Sequence, residues 1–320
     1  MTAPVRWGFI GAGWIAHRAL APAVHCADGA VLHAAAARDL DRARSLRPVG
    51  PSYDDYAALL ADDDVEAVYI SLNNDAHLPW TLRSLEAGKH VLCEKPLALT
   101  EHEVSQMADA AHRHDRLVVE ATWSRWHPRT RRAQAMVATG ALGSLVSLEC
   151  GFTFPSLPAG NYRMEVARGG GALYDIGPYS VGSVLWALPD GEVEVVSADV
   201  LRHPSGVDLT THATLRVGDV TATARTSVAE DYGEWLRVVG DQATLVLEEP
   251  AHTSWHAPST LSLLKQGADE ALQFPPVDPY QIMVEHVSRA IRGDASAYVL
   301  PLTESRRVAS VLDAIRAAGR

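Results

Sequence analysis

Through its first 121 residues the chain alternates short, almost unbroken apolar runs with stretches of helical period, an order that few architectures accept. The runs cover residues 5–10, 31–37, 67–70, 90–93 and 117–121. A strand that is apolar on both sides must be covered on both faces, which a parallel sheet with crossover helices achieves. Thr100 and Glu103 form a capping-box pair, starting a helix expected to reach about His114. Right-handed crossovers then make 1–121 an α/β, doubly wound domain.

The pattern changes after Ala121. Runs rich in β-branched residues at 145–154, 193–201, 210–217, 220–228, 236–239 and 244–247 follow one another with turns and no helices between them. Alternation in THATLRV and TATARTSV puts one face on a core and leaves the other for solvent or a partner. The expectation for 122–320 is therefore a second α/β domain with an open, largely antiparallel sheet, closed by helices at about 280–292 and 303–318. A half-apolar open face associates readily, so a homodimer or a homotetramer of such dimers is expected.

Composition excludes several functions. A net charge of −11 over 320 residues opposes electrostatic nucleic-acid binding. No apolar run reaches membrane-span length, so no membrane partner is expected. The apolar run starting at Val5 leaves no room for a secretory leader, and Cys26, Cys93 and Cys150 are scattered and odd in number. Both points favour a cytoplasmic protein without disulfides. His112 and His114 lie two apart, on different sides of a helix, and no carboxylate or cysteine completes a ligand set, so no metal is expected.

Gly11-Ala12-Gly13-Trp14-Ile15-Ala16 follows the first strand directly and opens a helical stretch. This is the G-x-G-x-x-A form of the dinucleotide fingerprint. Gly11 permits the tight turn, Gly13 lets backbone approach a pyrophosphate, and Ala16 lets helix and strand lie close. Trp14 and Ile15 begin the helix whose N-terminus would face the phosphates. The second strand ends in alanines, followed by Arg38 and Asp39. An NAD-selective site ends this strand with an acid, whereas a guanidinium suits the 2′-phosphate of NADP. Arg38 favours NADP, and Asp39 keeps NAD as the alternative.

Two further segments carry the chemistry: Leu92-Cys93-Glu94-Lys95-Pro96 at the carboxyl end of the run at 90–93, and Gly169-Gly170-Gly171-Ala172-Leu173-Tyr174-Asp175-Ile176-Gly177-Pro178-Tyr179. With GAGWIA, VYISLNNDAH, LEAGKHVLCEKPLALT and RWHP in the same order, the chain resembles the glucose-fructose oxidoreductase/inositol dehydrogenase/rhizopine catabolism family, Gfo/Idh/MocA. The resemblance implies an N-terminal Rossmann domain, a C-terminal α/β domain and a nicotinamide site between them. It makes Lys95 the catalytic lysine, often with a cis peptide before the following proline, here Pro96. It gives Glu94 a role in holding Lys95 or the nicotinamide ribose, and places Asn73, Asn74 and His77 along the cofactor cleft. Asn73 stands where the family usually has proline. Tyr179 stands where many members have histidine, as in the branch of dihydrodiol dehydrogenases, D-xylose dehydrogenases and nucleotide-sugar ketoreductases.

Asp175 and Tyr179 lie four apart and share a face if a helix has begun there, with Pro178 expected in its first turn. A phenol is a poor base near neutrality, and a neighbouring ammonium would favour phenolate and stabilise a developing alkoxide. The candidate roles are Tyr179 as general acid/base, Lys95 as polarising cation and Asp175 as the group orienting Lys95 or a substrate hydroxyl. Trp123 and Arg163 are candidates for binding a small polyhydroxylated substrate. Packing is the alternative for Trp123, and a pair with Glu165 for Arg163. These readings converge on an NADP-dependent oxidoreductase acting on a carbinol or carbonyl carbon of a sugar, sugar nucleotide or cyclic diol. An NAD-dependent glycosidase of the same superfamily, an imine or enone reductase and a non-catalytic NADP sensor remain as alternatives.

Overall fold

The structure is a computed structural model that describes residues 3–158 and 160–319. The chain divides into two compact units, Met1–Trp126 with Asp278–Ser305, and His127–Val277 with Arg306–Arg320.

In the first unit the described residues form a six-stranded parallel sheet in the order β3-β2-β1-β4-β5-β6. The strands are β1 (Val5–Ile10), β2 (Ala30–Ala36), β3 (Ser52–Tyr53), β4 (Ala67–Ile70), β5 (His90–Cys93) and β6 (Val118–Glu120). Every residue of β4 is buried, as a strand covered on both faces requires. Strand order reverses between β1 and β4, and the crevice beyond the carboxyl ends of such strands is where open α/β sheets bind ligands. The Glu101–His114 helix begins as expected, with Thr100 Oγ1 accepting from Glu103 N at 3.2 Å and Leu99 N donating to Glu103 Oε2 at 2.8 Å.

The division differs from a single cut after residue 121, because the Pro279–Ile291 helix packs into the first unit. Tyr280, Met283, Val284 and Val287 are buried on it. Trp7 Nε1 donates to Ser288 Oγ at 3.1 Å, and the Tyr280 ring stacks on Trp123 at 4.6 Å. Arg292 donates to both oxygens of Glu66, each at 2.9 Å. An amphipathic helix near the end of a chain carries no sequence mark of which core it covers, hence the difference.

In the second unit the described residues form an eight-stranded sheet, β14-β13-β12-β11-β7-β10-β9-β8. It comprises β7 (Leu145–Thr153), β8 (Val193–Arg202), β9 (Asp208–Val217), β10 (Val220–Ser227), β11 (Gly233–Gly240), β12 (Ala243–Leu247), β13 (Ser259–Lys265) and β14 (Glu270–Phe274). Its pairings are antiparallel except β10 with β7. One face, through Leu148, Leu215, Leu236, Val238 and Leu245, packs with Val181 and Val184 of the Ala172–Ala187 helix and with Leu312 and Ile315. That helix is buried along its whole length. Pro178 sits inside it rather than in the first turn, so its missing N–H leaves one internal helix bond unmade.

Candidate active site

At the carboxyl end of β1, Gly11 adopts φ +99°, and a Cβ there would lie 2.6 Å from the Ser71 carbonyl oxygen. No other residue fits. Gly13 is different. A Cβ there would meet only Ser71 O, at an ordinary 3.8 Å, so the chain itself does not demand glycine. A ligand approaching the backbone would. Ala16 is fully buried in a π-helical turn, Ala16–Leu20, while Ile15 is half-buried and Trp14 is 74% exposed at the mouth of the turn.

Arg38 is exposed just past β2. Asp39 Oδ1 accepts from Asp41 N at 2.9 Å and Arg42 N at 3.4 Å, capping the Leu40–Ser45 helix. The carboxylate on which the NAD alternative rested is thus engaged by helix amides. Sequence reasoning missed Arg42, whose Nη2 donates to Ala12 O inside the glycine turn at 2.6 Å. Burial pushes the Tyr56 phenol up, and the charges of Arg38 and Arg42 oppose it. The spacing of Arg38 and Arg42 across a capping aspartate was the available signal.

The loop after β4 carries the next candidates. Asn73 holds φ −70° and ψ 155°, the backbone conformation a proline imposes, so asparagine keeps the expected loop geometry. Asn74 is buried. His77 is fully buried, its Nδ1 facing the Pro96 carbonyl at 2.8 Å and its Nε2 the Leu72 carbonyl at 3.2 Å. Burial first, and the charge of Lys95 to a lesser degree, hold this imidazole below its ordinary pKa.

Lys95 is half-buried, and the Lys95–Pro96 peptide is cis. Glu94 is buried and accepts from Tyr69 Oη at 2.8 Å. Burial, then the Glu94 charge, push the Tyr69 phenol far up. Beyond Pro96, Leu97 N donates to Glu120 Oε1 at 3.0 Å. Sequence reasoning also missed Glu120, a lone carboxylate closing the apolar strand β6 at its carboxyl edge.

In the second unit, the Ala172–Ala187 helix carries Asp175 and Tyr179, both buried and one turn apart. Arg163 pairs with Asp175, Nε to Oδ1 at 2.8 Å, and the alternative partner Glu165 is taken by Arg168 at 3.1 Å. The glycine-rich turn makes this approach possible, because a Cβ on Gly170 would lie 2.3 Å from Arg163 O. Asp208, likewise missed, accepts from Leu173 N at 2.7 Å and from Thr211 Oγ1 at 3.1 Å, securing the first turn of the helix. The Tyr179 ring packs against Phe152 at 5.7 Å and His252 at 6.0 Å.

Among these candidates, Gly11, Gly13, Arg38, Asn73, Asn74, His77, Glu94 and Lys95 stand on turns or helix starts of the first unit. Arg163, Asp175 and Tyr179 gather in the second. Trp123 is only 5% exposed and its ring stacks on Tyr280, which is the packing alternative. The first set, with Arg42, offers a glycine turn, a helix N-terminus and two guanidiniums to a dinucleotide, and an ammonium to an oxygen that gains charge. The second offers a phenol and a carboxylate held by an arginine. Among the described residues, His33, Asp62 and Asp64 bring ligand-type atoms within 4.8 Å. Asp62 already accepts from Tyr53 Oη at 3.1 Å, and Arg6 faces Asp64 at 3.8 Å.

Comparison with known proteins extends this geometry. A family model described as the oxidoreductase family with NAD-binding Rossmann fold matches residues 5–122, and the GFO/IDH/MocA C-terminal domain matches 130–246. The chain is 35% identical to the uncharacterized oxidoreductase ORF334 of Rhizobium meliloti, covering 98% of this chain and 96% of that one. It is 32% identical to D-xylose 1-dehydrogenase (NADP(+)) 2 of Haloferax volcanii, covering 97% and 95%. Among solved structures it resembles KijD10, a 3-ketoreductase from Actinomadura kijaniata in complex with NADP and TDP-benzene. That match has 30% identity, a TM-score of 0.89 and coverage of 99% and 98%. With both halves matched and relatives aligned along nearly its whole length, the chain belongs to the Gfo/Idh/MocA oxidoreductase family.

Proposed function

We propose that the protein is an NADP(H)-dependent oxidoreductase acting on a carbinol or carbonyl carbon of a sugar, sugar nucleotide or cyclic diol. The observation that carries this reading is the Lys95 turn, pinned at the Pro96 carbonyl by His77 and at Leu97 N by Glu120, in the same unit as a glycine turn that Arg42 contacts at Ala12 O. Relatives that include an NADP(+)-dependent D-xylose dehydrogenase and a sugar 3-ketoreductase with bound NADP support it.

Arg38 and Arg42 hold the 2′-phosphate, and the backbone at Gly13 accepts the pyrophosphate. NADP(H) supplies or accepts the hydride. In the reductive direction the Lys95 ammonium stabilises negative charge growing on the carbonyl oxygen, and Tyr179 delivers the proton that completes the alcohol. Oxidation runs the same steps backwards. Asp175, held by Arg163, orients the substrate hydroxyl.

Two features of the setting belong to the same proposal. Cys26, Cys93 and Cys150 are free thiols, which favours a reducing, cytoplasmic location. A homodimer, alone or paired into a tetramer, is favoured by the face of the second sheet where Trp235 lies partly exposed over Gly151. Among the described residues no helix is long and apolar enough to cross a membrane.

The test is a panel of aldoses, cyclitols, dihydrodiols and nucleotide ketosugars, each with NADP(H) and NAD(H), followed by nicotinamide absorbance. Turnover of at least one class with NADP(H) preferred about tenfold or more is expected. Tight cofactor retention with no turnover on any class would refute the reading.

A further inference from the structure

Glu120 is a buried ionisable group with no role in the chemistry described so far. It ends β6 directly beside Cys93, its partner in register on β5, and Ala121 N donates to Cys93 O at 2.7 Å. That pairing fixes its Cα next to the strand end from which Glu94, Lys95 and Pro96 run on. Its Oε1 accepts from Leu97 N at 3.0 Å, so it grips the Lys95 turn on the side opposite to the His77 contact with Pro96 O.

We propose that Glu120 is a positioning residue for Lys95, fixing its turn through Leu97 N and supplying a negative charge beside its ammonium. The inference rests on the assignment of Lys95 made above. Leu97 N and the Ser305 hydroxyl hydrogen-bond the carboxylate, and the charges of Arg125 and Lys95 act on it. Arg125 also pairs with Glu304, Nη2 to Oε2 at 2.7 Å, so its charge is shared between two carboxylates. Of the neighbouring acids, Glu94 is engaged by Tyr69, and burial pushes the Cys93 thiol far up. His77, on the far side of the turn, is kept towards its neutral form by burial.

The choice of an acid here has a physical cost that an amide would avoid. Burial pushes the Glu120 carboxyl up despite the opposing pull of its hydrogen bonds and of Arg125 and Lys95. The folded state therefore holds that proton more tightly than the unfolded chain. Ionisation weakens folding above the raised pKa, and the penalty disappears as pH falls below the ordinary carboxylate range. Glutamine would still accept from Leu97 N without that penalty. A costly charge kept beside a reactive group is the pattern in which stability is given up for activity.

The experiment compares Glu120→Gln, Glu120→Asp and Lys95→Met by steady-state kinetics, NADPH binding and thermal denaturation. Glu120→Gln keeps the acceptor for Leu97 N and loses the charge, so kcat is expected to fall about tenfold or more, with substrate KM and NADPH affinity within a few-fold and Tm equal to or above wild type. Glu120→Asp keeps the charge and loses reach to Leu97 N, so its kcat should fall as well, again with NADPH affinity within a few-fold. An unchanged kcat in Glu120→Gln would overturn the proposal. So would a fall in Tm with a parallel loss of NADPH binding, or a wild-type kcat in Glu120→Asp. If Lys95→Met still turns over, the assignment of Lys95 fails. If Lys95→Met is inactive and Glu120→Gln is normal, only the role of Glu120 fails.

Discussion

Arg163 Nε and Asp175 Oδ1 stand 2.8 Å apart, joining a side chain just ahead of the glycine-rich turn to one in the first turns of the buried helix. The pair adds to Arg163, a candidate substrate contact, the task of holding a candidate catalytic carboxylate. Removing one partner of a partly buried pair leaves the other poorly compensated, at a cost of about 1–3 kcal/mol once solvent screening is allowed for. Arg163→Ala is expected to lower kcat/KM about 10–100-fold and to lower Tm, measured by steady-state assay and a melting curve. Wild-type kinetics would show that Asp175 needs no such support.

Tyr179 packs through its ring, against Phe152 and His252, so its hydroxyl can be removed with the packing kept. Tyr179→Phe should lower kcat by about 10²–10⁴, the usual worth of a positioned acid/base. The loss should be largest near neutral pH, with Tm almost unchanged. A variant with wild-type rate would assign the proton to another group.

The charges of Arg38 and Arg42 both act on the Tyr56 phenol, and Arg42 also supports Ala12 O. A charge-assisted hydrogen bond is worth about 1.5–3 kcal/mol, or roughly 10–100-fold in affinity. Arg38→Ala and Arg42→Ala are each expected to weaken NADPH by that order while leaving NADH within a few-fold. Equal losses for both cofactors, read by fluorescence titration, would mean that the arginines support the loop and not the phosphate.

Glu66 and Arg292 bind through two hydrogen bonds, and the Arg292 contact holds the Glu66 carboxyl below its ordinary pKa. The stabilisation is present above the unfolded carboxylate range and is lost as pH falls through the lowered folded value. Both side chains are about a quarter exposed, so the discounted worth is about 1 kcal/mol. Glu66→Gln should therefore lower Tm at neutral pH, and the gap from wild type should close in acid. A gap that persists at low pH would remove the ion pair as its cause.

The sequence carried the first sheet well because its signals are local. Val5–Ile10, Ala67–Ile70 and His90–Cys93 are continuous apolar runs, and the strands fall on them. Two-residue β3 is too short to show a period, and β14, Glu270–Phe274, is built largely from residues that favour helix. The glycine at 11 and the Thr100 cap were likewise legible. The engagement of Asp39, the reach of Arg42 to Ala12 and the grip of Glu120 on Leu97 were not. Each depends on where a side chain goes after the backbone has folded, and the Glu120 contact spans 23 residues of sequence. Pro178 misled because a proline usually marks a first turn, whereas here the surrounding packing tolerates it inside a helix.

The return of Asp278–Ser305 to the first unit bears on how the polypeptide is made. A ribosome releases the dinucleotide-type sheet early, yet the helix that stacks Tyr280 on Trp123 and brings Arg292 to Glu66 emerges only after residues 127–277. The second unit waits longer still, for Leu312 and Ile315. Neither core can close during synthesis in the usual order, N-terminal domain first. Both must finish almost together, and an expression fragment cut at residue 126 would carry an uncovered face.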